Sequence, residues 1–236
     1  MWSAGPAPRR PAAGAPAGLR LGFSLSPGMR VGLFGGSFNP VHDGHAHVAE
    51  TARRRLRLHR VIWLVSPQNP LKPSQDTAGL EARIAGVRAL ARGPGTIVSD
   101  AESRLGRQYT IDIVRALKAR FPGVEFVWLM GADSLASFHL WRGWTQIMHE
   151  VPVAVVSRPW VAIRSRFSPA AHRFARFRIP SAQAATLPGR APPAWVFLRA
   201  PLNFQSSTSL RARQAEADAG FAAPGTSRDA GRLKLS

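Results

Sequence analysis

The 236-residue chain is long enough to bury one proper hydrophobic centre. It has no cysteine, which excludes a disulfide framework, a thiolate zinc site and a cysteine nucleophile, and no apolar run approaches bilayer-spanning length. Its net charge of +19 attracts polyanions, whether nucleotides or nucleic acid, but nearly all the excess is arginine scattered along the chain.

Residues 1–28 are rich in Pro, Ala, Gly and Arg, lack the apolar block of a secretory signal, and are expected to form a disordered basic extension. They are not the source of the charge, since losing Arg9, Arg10 and Arg20 still leaves +16. Met29 stands directly before the first strand-like run and is a candidate translation start. That run, Met29 to Phe34, leads into Gly35-Gly36-Ser37-Phe38-Asn39-Pro40-Val41-His42-Asp43-Gly44-His45 and then a helical pattern of Val48, Ala52 and Leu56. Glycines let backbone N–H groups approach phosphate oxygens, and a helix opening just beyond adds its positive dipole end. Two histidines three apart can both donate to phosphates as charge moves onto a leaving group. No Gly-Lys-Ser/Thr follows the glycines, so this is not a Walker loop.

Further strand-like runs follow at Arg60–Ser66, Thr96–Ser99, Val124–Met130, Val151–Ser157 and Trp195–Leu198. Helical patterns lie between them, at Leu80, Ile84, Val87 and Leu90 and at Ile111, Val114 and Leu117. Buried strands alternating with helices predict an α/β fold: a Rossmann-like, doubly wound parallel sheet with helices on both faces. Ligands bind such sheets beyond the carboxyl ends of the strands, where the glycine loop lies. Residues 160–194 read as a partly helical insertion or subdomain. A helix is expected from Ser207 to Ala219, closing a single domain over residues 29–220, with residues 221–236 a loose tail.

Near that end, Ser206-Ser207-Thr208-Ser209-Leu210-Arg211 opens a helix with hydroxyls that cap free backbone donors and a guanidinium one turn on, an anion site or an ordinary N-cap. Lys72, between two prolines, is a cation on a stiffened loop, fit for a phosphate or for solvent. Thr110 stands as a helix cap, and Asp133 follows Gly131-Ala132 at a strand end as a cap for the next helix. Trp141 and Trp144, one helical turn apart, serve a core or a stacking platform.

The glycine–histidine loop resembles the signature of the HxGH nucleotidylyltransferase superfamily, and Ser206-Ser207-Thr208-Ser209-Leu210-Arg211 is similar to its closing triphosphate motif, with Leu210 in a branched residue's place. From about Met29 to Arg213 the chain resembles the bacterial nicotinate-nucleotide adenylyltransferase family. The blocks that carry this are Ser66–Lys72, Tyr109–Asp112, Gly131–Leu135 with Trp141 and Trp144, and Ser157-Arg158-Pro159. The resemblance implies transfer of AMP from ATP to nicotinate mononucleotide, giving deamido-NAD and pyrophosphate, in the cytoplasm. It implies His42 and His45 as catalytic groups. It implies Gly35, Gly36, Ser37, Phe38, Gly131, Asp133, Arg158, Ser207, Thr208 and Arg211 on ATP, and Lys72, Thr110 and Trp141 on the acceptor. Mg²⁺ is expected on the phosphates rather than on protein ligands, with no nucleic-acid or membrane partner. Three departures stand out: Asn39 replaces the family's usual Asp, Arg142 occupies a common aromatic position, and Leu71 a frequent histidine. A sister adenylyltransferase acting on nicotinamide mononucleotide or phosphopantetheine stays open here, as does a basic nucleic-acid-binding protein.

Overall fold

The structure, a computed structural model, describes residues 21–67, 78–106, 109–157, 165 and 167–199. Seven strands form one sheet: β1 (Arg30–Gly36), β2 (Arg60–Val65), β3 (Thr96–Ser99), β4 (Glu125–Gly131), β5 (Val153–Ser157), β6 (Arg178–Ile179) and β7 (Trp195–Arg199). All neighbouring pairs are parallel, in the order β3-β2-β1-β4-β5-β7-β6. The helices are α1 (Asp43–Arg55), α2 (Leu80–Leu90), α3 (Ala101–Arg104), α4 (Thr110–Arg120), α5 (Ala132–Ser137), α6 (Trp144–Glu150) and α7 (Pro169–Arg173), with short 3₁₀ turns besides.

Side chains alternate across the strands, so each strand feeds two cores. Val31, Leu33, Ile62, Leu64, Trp128, Met130, Val153 and Val155 face one side, where Ile111, Val114 and Leu117 of α4 and Ile147 of α6 cover them. Phe34, Val61, Trp63, Val65, Val127, Leu129, Ala154 and Val156 face the other, beneath Val48, Ala49 and Ala52 of α1 and Val87 of α2. Helices on both faces of a parallel sheet make it doubly wound, as the alternation of runs predicts. The chain order reverses between β1 and β4, and this switch opens a crevice at their carboxyl ends.

Two expectations change. Residues 21–28 are not part of a disordered extension: Leu21 is buried in the core, Phe23 stacks on Phe121 with ring centroids 5.7 Å apart, and the Gly28 N–H donates to the Gly123 carbonyl at 2.7 Å. Apolar residues at every second position, Leu21, Phe23 and Leu25, give this short stretch one face to bury. The described part of residues 160–194 is partly helical, with α7 and 3₁₀ turns, but is not a separate subdomain. Ala170, Ala171 and Phe174 join one core, Ile179, Ala184 and Leu187 the other, and β6 extends the sheet edge beyond β7. Among the described residues no helix is long and apolar enough to cross a membrane.

Candidate active site

The switch crevice is built first by what the strands leave out. A Cβ on Gly35 would lie 2.5 Å from Cη2 of Trp128, so the glycine admits that indole against the end of β1. Gly36 follows, and the backbone then turns through Phe38 at φ +47°, a left-handed conformation held in place by burial. The Phe38 ring lies in the core, edge-on to Phe34 and beside Trp63 and His45. Its side chain is therefore taken up by the core. Asn39 Oδ1 accepts from the Ala78 N–H at 3.3 Å, so the amide oxygen does here what a carboxylate oxygen would do.

The loop delivers both histidines to the start of α1. His42 is the N-cap, and His45 is the third helical residue. The His45 N–H donates to the His42 carbonyl at 2.8 Å, and the His42 N–H donates to His45 Nδ1 at 3.3 Å. An Nδ1 that accepts leaves the ring proton on Nε2, which fixes the tautomer as a donor. The rings lie 3.9 Å apart, and Phe38 supports His45 from a centroid distance of 5.1 Å. Exposure divides the pair: His42 is only 4% exposed, whereas His45 is half-buried. At the opening of a 13-residue helix, a fixed imidazole donor joins the dipole's positive end, an anion site.

The opposite wall comes from β4, whose register beside β1 pairs Phe34 with Leu129 and so ends the two strands side by side. Gly131 caps α5, and a Cβ there would lie 2.4 Å from Asp133 Oδ1, so the carboxylate folds back over the glycine. Asp133 lies inside the first turn and is not the cap that its sequence position suggests. Trp141 is half-buried, edge-on to Phe138 at 5.3 Å and to Trp128 at 6.3 Å. Gly35, Trp128 and Trp141 therefore form one continuous wall. Tyr109 caps α4 and Thr110 is its first residue, one position later than expected. The Arg142 guanidinium sits 4.4 Å over the Tyr109 ring, so a flat cation covers the face that an aromatic neighbour would cover. Next to it, a Cβ on Gly143 would touch Ile111 of α4 at 3.3 Å, which brings Thr110 and Trp141 onto neighbouring turns.

Lys72, Arg158, Ser207, Thr208 and Arg211 lie outside the described residues. Ser157, just before Arg158, ends β5 beside β4, and it pairs with Arg199 at the end of β7. Ser157 and Arg199 thus stand at the carboxyl edge that carries the glycine loop.

Two buried charged residues here escape the sequence patterns. Arg83 in α2 is 4% exposed, and desolvation pulls its guanidinium below the usual arginine range. Glu102 in α3 is 5% exposed, and burial pushes its carboxyl up to about 7, against the opposing pull of the Ser66 Oγ that donates to it at 2.6 Å. Both meet at Ser66, whose carbonyl accepts from Arg83 at 2.7 Å. A charged residue inside a helical repeat reads as a solvated position, so no pattern marks either of them. Among the described residues, no group of three or more His, Cys, Asp or Glu could hold a metal ion.

The cytidylyltransferase-like family profile matches residues 33–213. A protein of Caulobacter sp. (strain K31) named "Probable nicotinate-nucleotide adenylyltransferase" is 70% identical over 186 residues, covering 79% of this chain and 98% of that protein. One of the same name from Cereibacter sphaeroides (strain ATCC 17025 / ATH 2.4.3) is 54% identical over 184 residues, covering 78% and 97%. In fold, the chain matches the Plasmodium falciparum nicotinic acid mononucleotide adenylyltransferase complexed with NaAD. The TM-score is 0.60 at 16% identity, over 78% of this chain and 83% of that one.

Proposed function

Because this chain belongs to the cytidylyltransferase-like family, and within it to the nicotinate-nucleotide adenylyltransferases, we propose that it joins ATP and nicotinate mononucleotide into deamido-NAD and pyrophosphate. The acceptor's phosphate oxygen attacks the α-phosphorus of ATP in line. The new O–P bond forms as the bond to the β-phosphate bridging oxygen breaks, and pyrophosphate leaves with that electron pair. The nucleophile is already an anion, so no side chain must abstract a proton. The protein's task is positioning and charge stabilisation.

One observation carries this reading: the exchange of hydrogen bonds between His42 and His45 at the start of α1, which leaves the His45 ring proton on Nε2 within the first turn of the helix. His45 is assigned to the charge that develops on the phosphates during transfer. His42, almost wholly buried, supports it and closes the same cradle. The backbone of Gly35, Gly36, Ser37 and Phe38 lines the nucleotide, and Gly131 and Asp133 meet its ribose. Trp141 stacks on the pyridine ring, and Thr110 faces its carboxylate. Lys72 is assigned to the acceptor phosphate, and Arg158, Ser207, Thr208 and Arg211 to ATP.

Mg²⁺ enters with the nucleotide. At the start of α1 the side chains offered to the phosphates are imidazoles rather than the oxygen ligands that Mg²⁺ prefers, so phosphate oxygens and water are assigned to the ion. The reaction is assigned to the cytoplasm, where ATP is available.

Purified protein incubated with ATP, Mg²⁺ and nicotinate mononucleotide is expected to release pyrophosphate, and to do so much more slowly with nicotinamide mononucleotide. Faster release with the amide would reassign the acceptor, and silence with both would refute the reading.

A further inference from the structure

Arg83 lies under the loop that carries the two histidines, and four of its five N–H donors bond backbone carbonyls. Nη1 donates to the carbonyls of Ser37 and Ser66 at 2.7 Å each, Nη2 to that of Pro67 at 2.7 Å, and Nε to that of Ala78 at 2.8 Å. No carboxylate among the described residues comes within ion-pair distance of it. A buried cation whose partners are only dipoles is expensive for a fold to keep, and an apolar side chain would fill a helix face more stably. Such an arrangement is retained where a charge or a geometry is needed.

Helix α2, which bears Arg83, touches the loop at two further points. The Ala78 N–H donates to Asn39 Oδ1 at 3.3 Å just before the helix, and a Cβ on Gly86 would meet Val41 Cγ1 at 3.4 Å. The Ser66 N–H, in turn, donates to the Gly36 carbonyl at 3.0 Å. Residues 36 to 41 are therefore gripped from beneath by α2 and by the end of β2.

We infer that Arg83 is a positioning residue for nucleotide binding. By drawing the Ser37, Ser66 and Pro67 carbonyls inward, it keeps their oxygens away from an incoming polyphosphate and sets the path of the loop that delivers His42 and His45. Its charge, with no carboxylate among the described residues within ion-pair distance, also lends the crevice a positive potential from below. The guanidinium geometry matters as much as the charge, because four acceptors in different directions need a planar fork that an ammonium lacks.

This inference rests on the adenylyl-transfer reading, and the test separates the two. Arg83→Gln, Arg83→Lys and a control, Val87→Ala, are compared with wild type for thermal unfolding and for kcat and KM with ATP and with nicotinate mononucleotide. Val87 is a buried residue on the same helix, so its truncation loosens the core behind α2 without touching the carbonyl clamp. Arg83→Gln is expected to lower kcat/KM for ATP by some tens-fold, within the ~10²-fold that a misplacement of about 1 Å can produce. Arg83→Lys should fall between Arg83→Gln and wild type, and Val87→Ala should lose thermal stability with kinetic constants unchanged. A folded Arg83→Gln protein with kcat/KM for ATP within about twofold of wild type overturns the inference. An equal kinetic loss in Val87→Ala overturns it too, since general loosening would then suffice. A folded wild-type protein that is silent with either mononucleotide refutes the adenylyl-transfer reading, and this inference with it.

Discussion

Replacing Glu102 by Gln is expected to stabilise the protein at pH 8 and to remove a pH dependence that wild type shows. The Glu102 carboxyl is 5% exposed, and desolvation lifts it from 4.5 to about 7, with the Ser66 hydroxyl pulling the other way. Between these values the native state holds a proton that the unfolded chain has released. Stability is therefore fully present below about pH 4.5, falls as pH rises through the folded value near 7, and levels off above it. At about 1.4 kcal/mol per unit, the ionised carboxylate destabilises the fold by on the order of 3 kcal/mol at pH 8. Gln stands in for the protonated carboxyl and still accepts from Ser66 Oγ, and the pull of Ser66 on the carboxylate is already contained in the value of about 7. A gain on the order of 3 kcal/mol corresponds to roughly 6–12 °C in Tm for a chain of this length. Thermal unfolding followed by circular dichroism, on both proteins at pH 5 and pH 8, reads the effect directly. The difference in Tm should be small at pH 5 and several degrees in favour of Glu102→Gln at pH 8. A difference that does not change with pH, or a more stable wild type at pH 8, would refute the reasoning.

His45→Ala should lower kcat by on the order of 10²-fold or more while the protein stays folded, as removal of a transition-state donor does; near-normal turnover would contradict the assignment. In Gly35→Ala the new Cβ meets a rigid indole at 2.5 Å, so a loss of about 1–3 kcal/mol is expected in denaturant unfolding. Because Trp128 backs Trp141, the same variant should raise KM for the mononucleotide more than KM for ATP, and an unshifted unfolding midpoint would show that the wall gives way freely. Phe23→Ala should lower thermal stability by about 1–2 kcal/mol through the lost stack on Phe121; an unchanged Tm would return residues 21–28 to the disordered extension that composition suggests.

The sheet was legible because buried parallel strands leave long apolar runs, such as Arg60–Val65, and helices of three turns leave a clear repeat. β6 was not, since two residues at a sheet edge carry no periodicity. Leu21, Phe23 and Leu25 alternate within a stretch whose Pro and Gly content suggests disorder, and only their docking against Phe121 and the core beneath shows that they belong to the fold. In the site, His42 and His45 could be read from sequence because their chemistry depends on local spacing: three residues across one helix start. Thr110 missed its cap by one position because Tyr109, with no side-chain cap of its own, already has the extended backbone that a cap needs. Phe38 could be placed beside the nucleotide but not recognised as the loop's buried anchor, since a left-handed aromatic residue has no sequence signature. Arg83 and Glu102 are the largest gap. Their roles arise from Ser37, Ser66, Pro67 and Ala78 meeting in space, and nothing local to either residue signals that meeting.

The central claim is that the start of α1 and the switch between β1 and β4 together hold ATP. A crystal structure with a non-hydrolysable ATP analogue and Mg²⁺ tests it most directly. The claim predicts a phosphate oxygen within hydrogen-bond reach of His45 Nε2 and the ribose beside Asp133; a triphosphate bound away from the α1 N-terminus would contradict it.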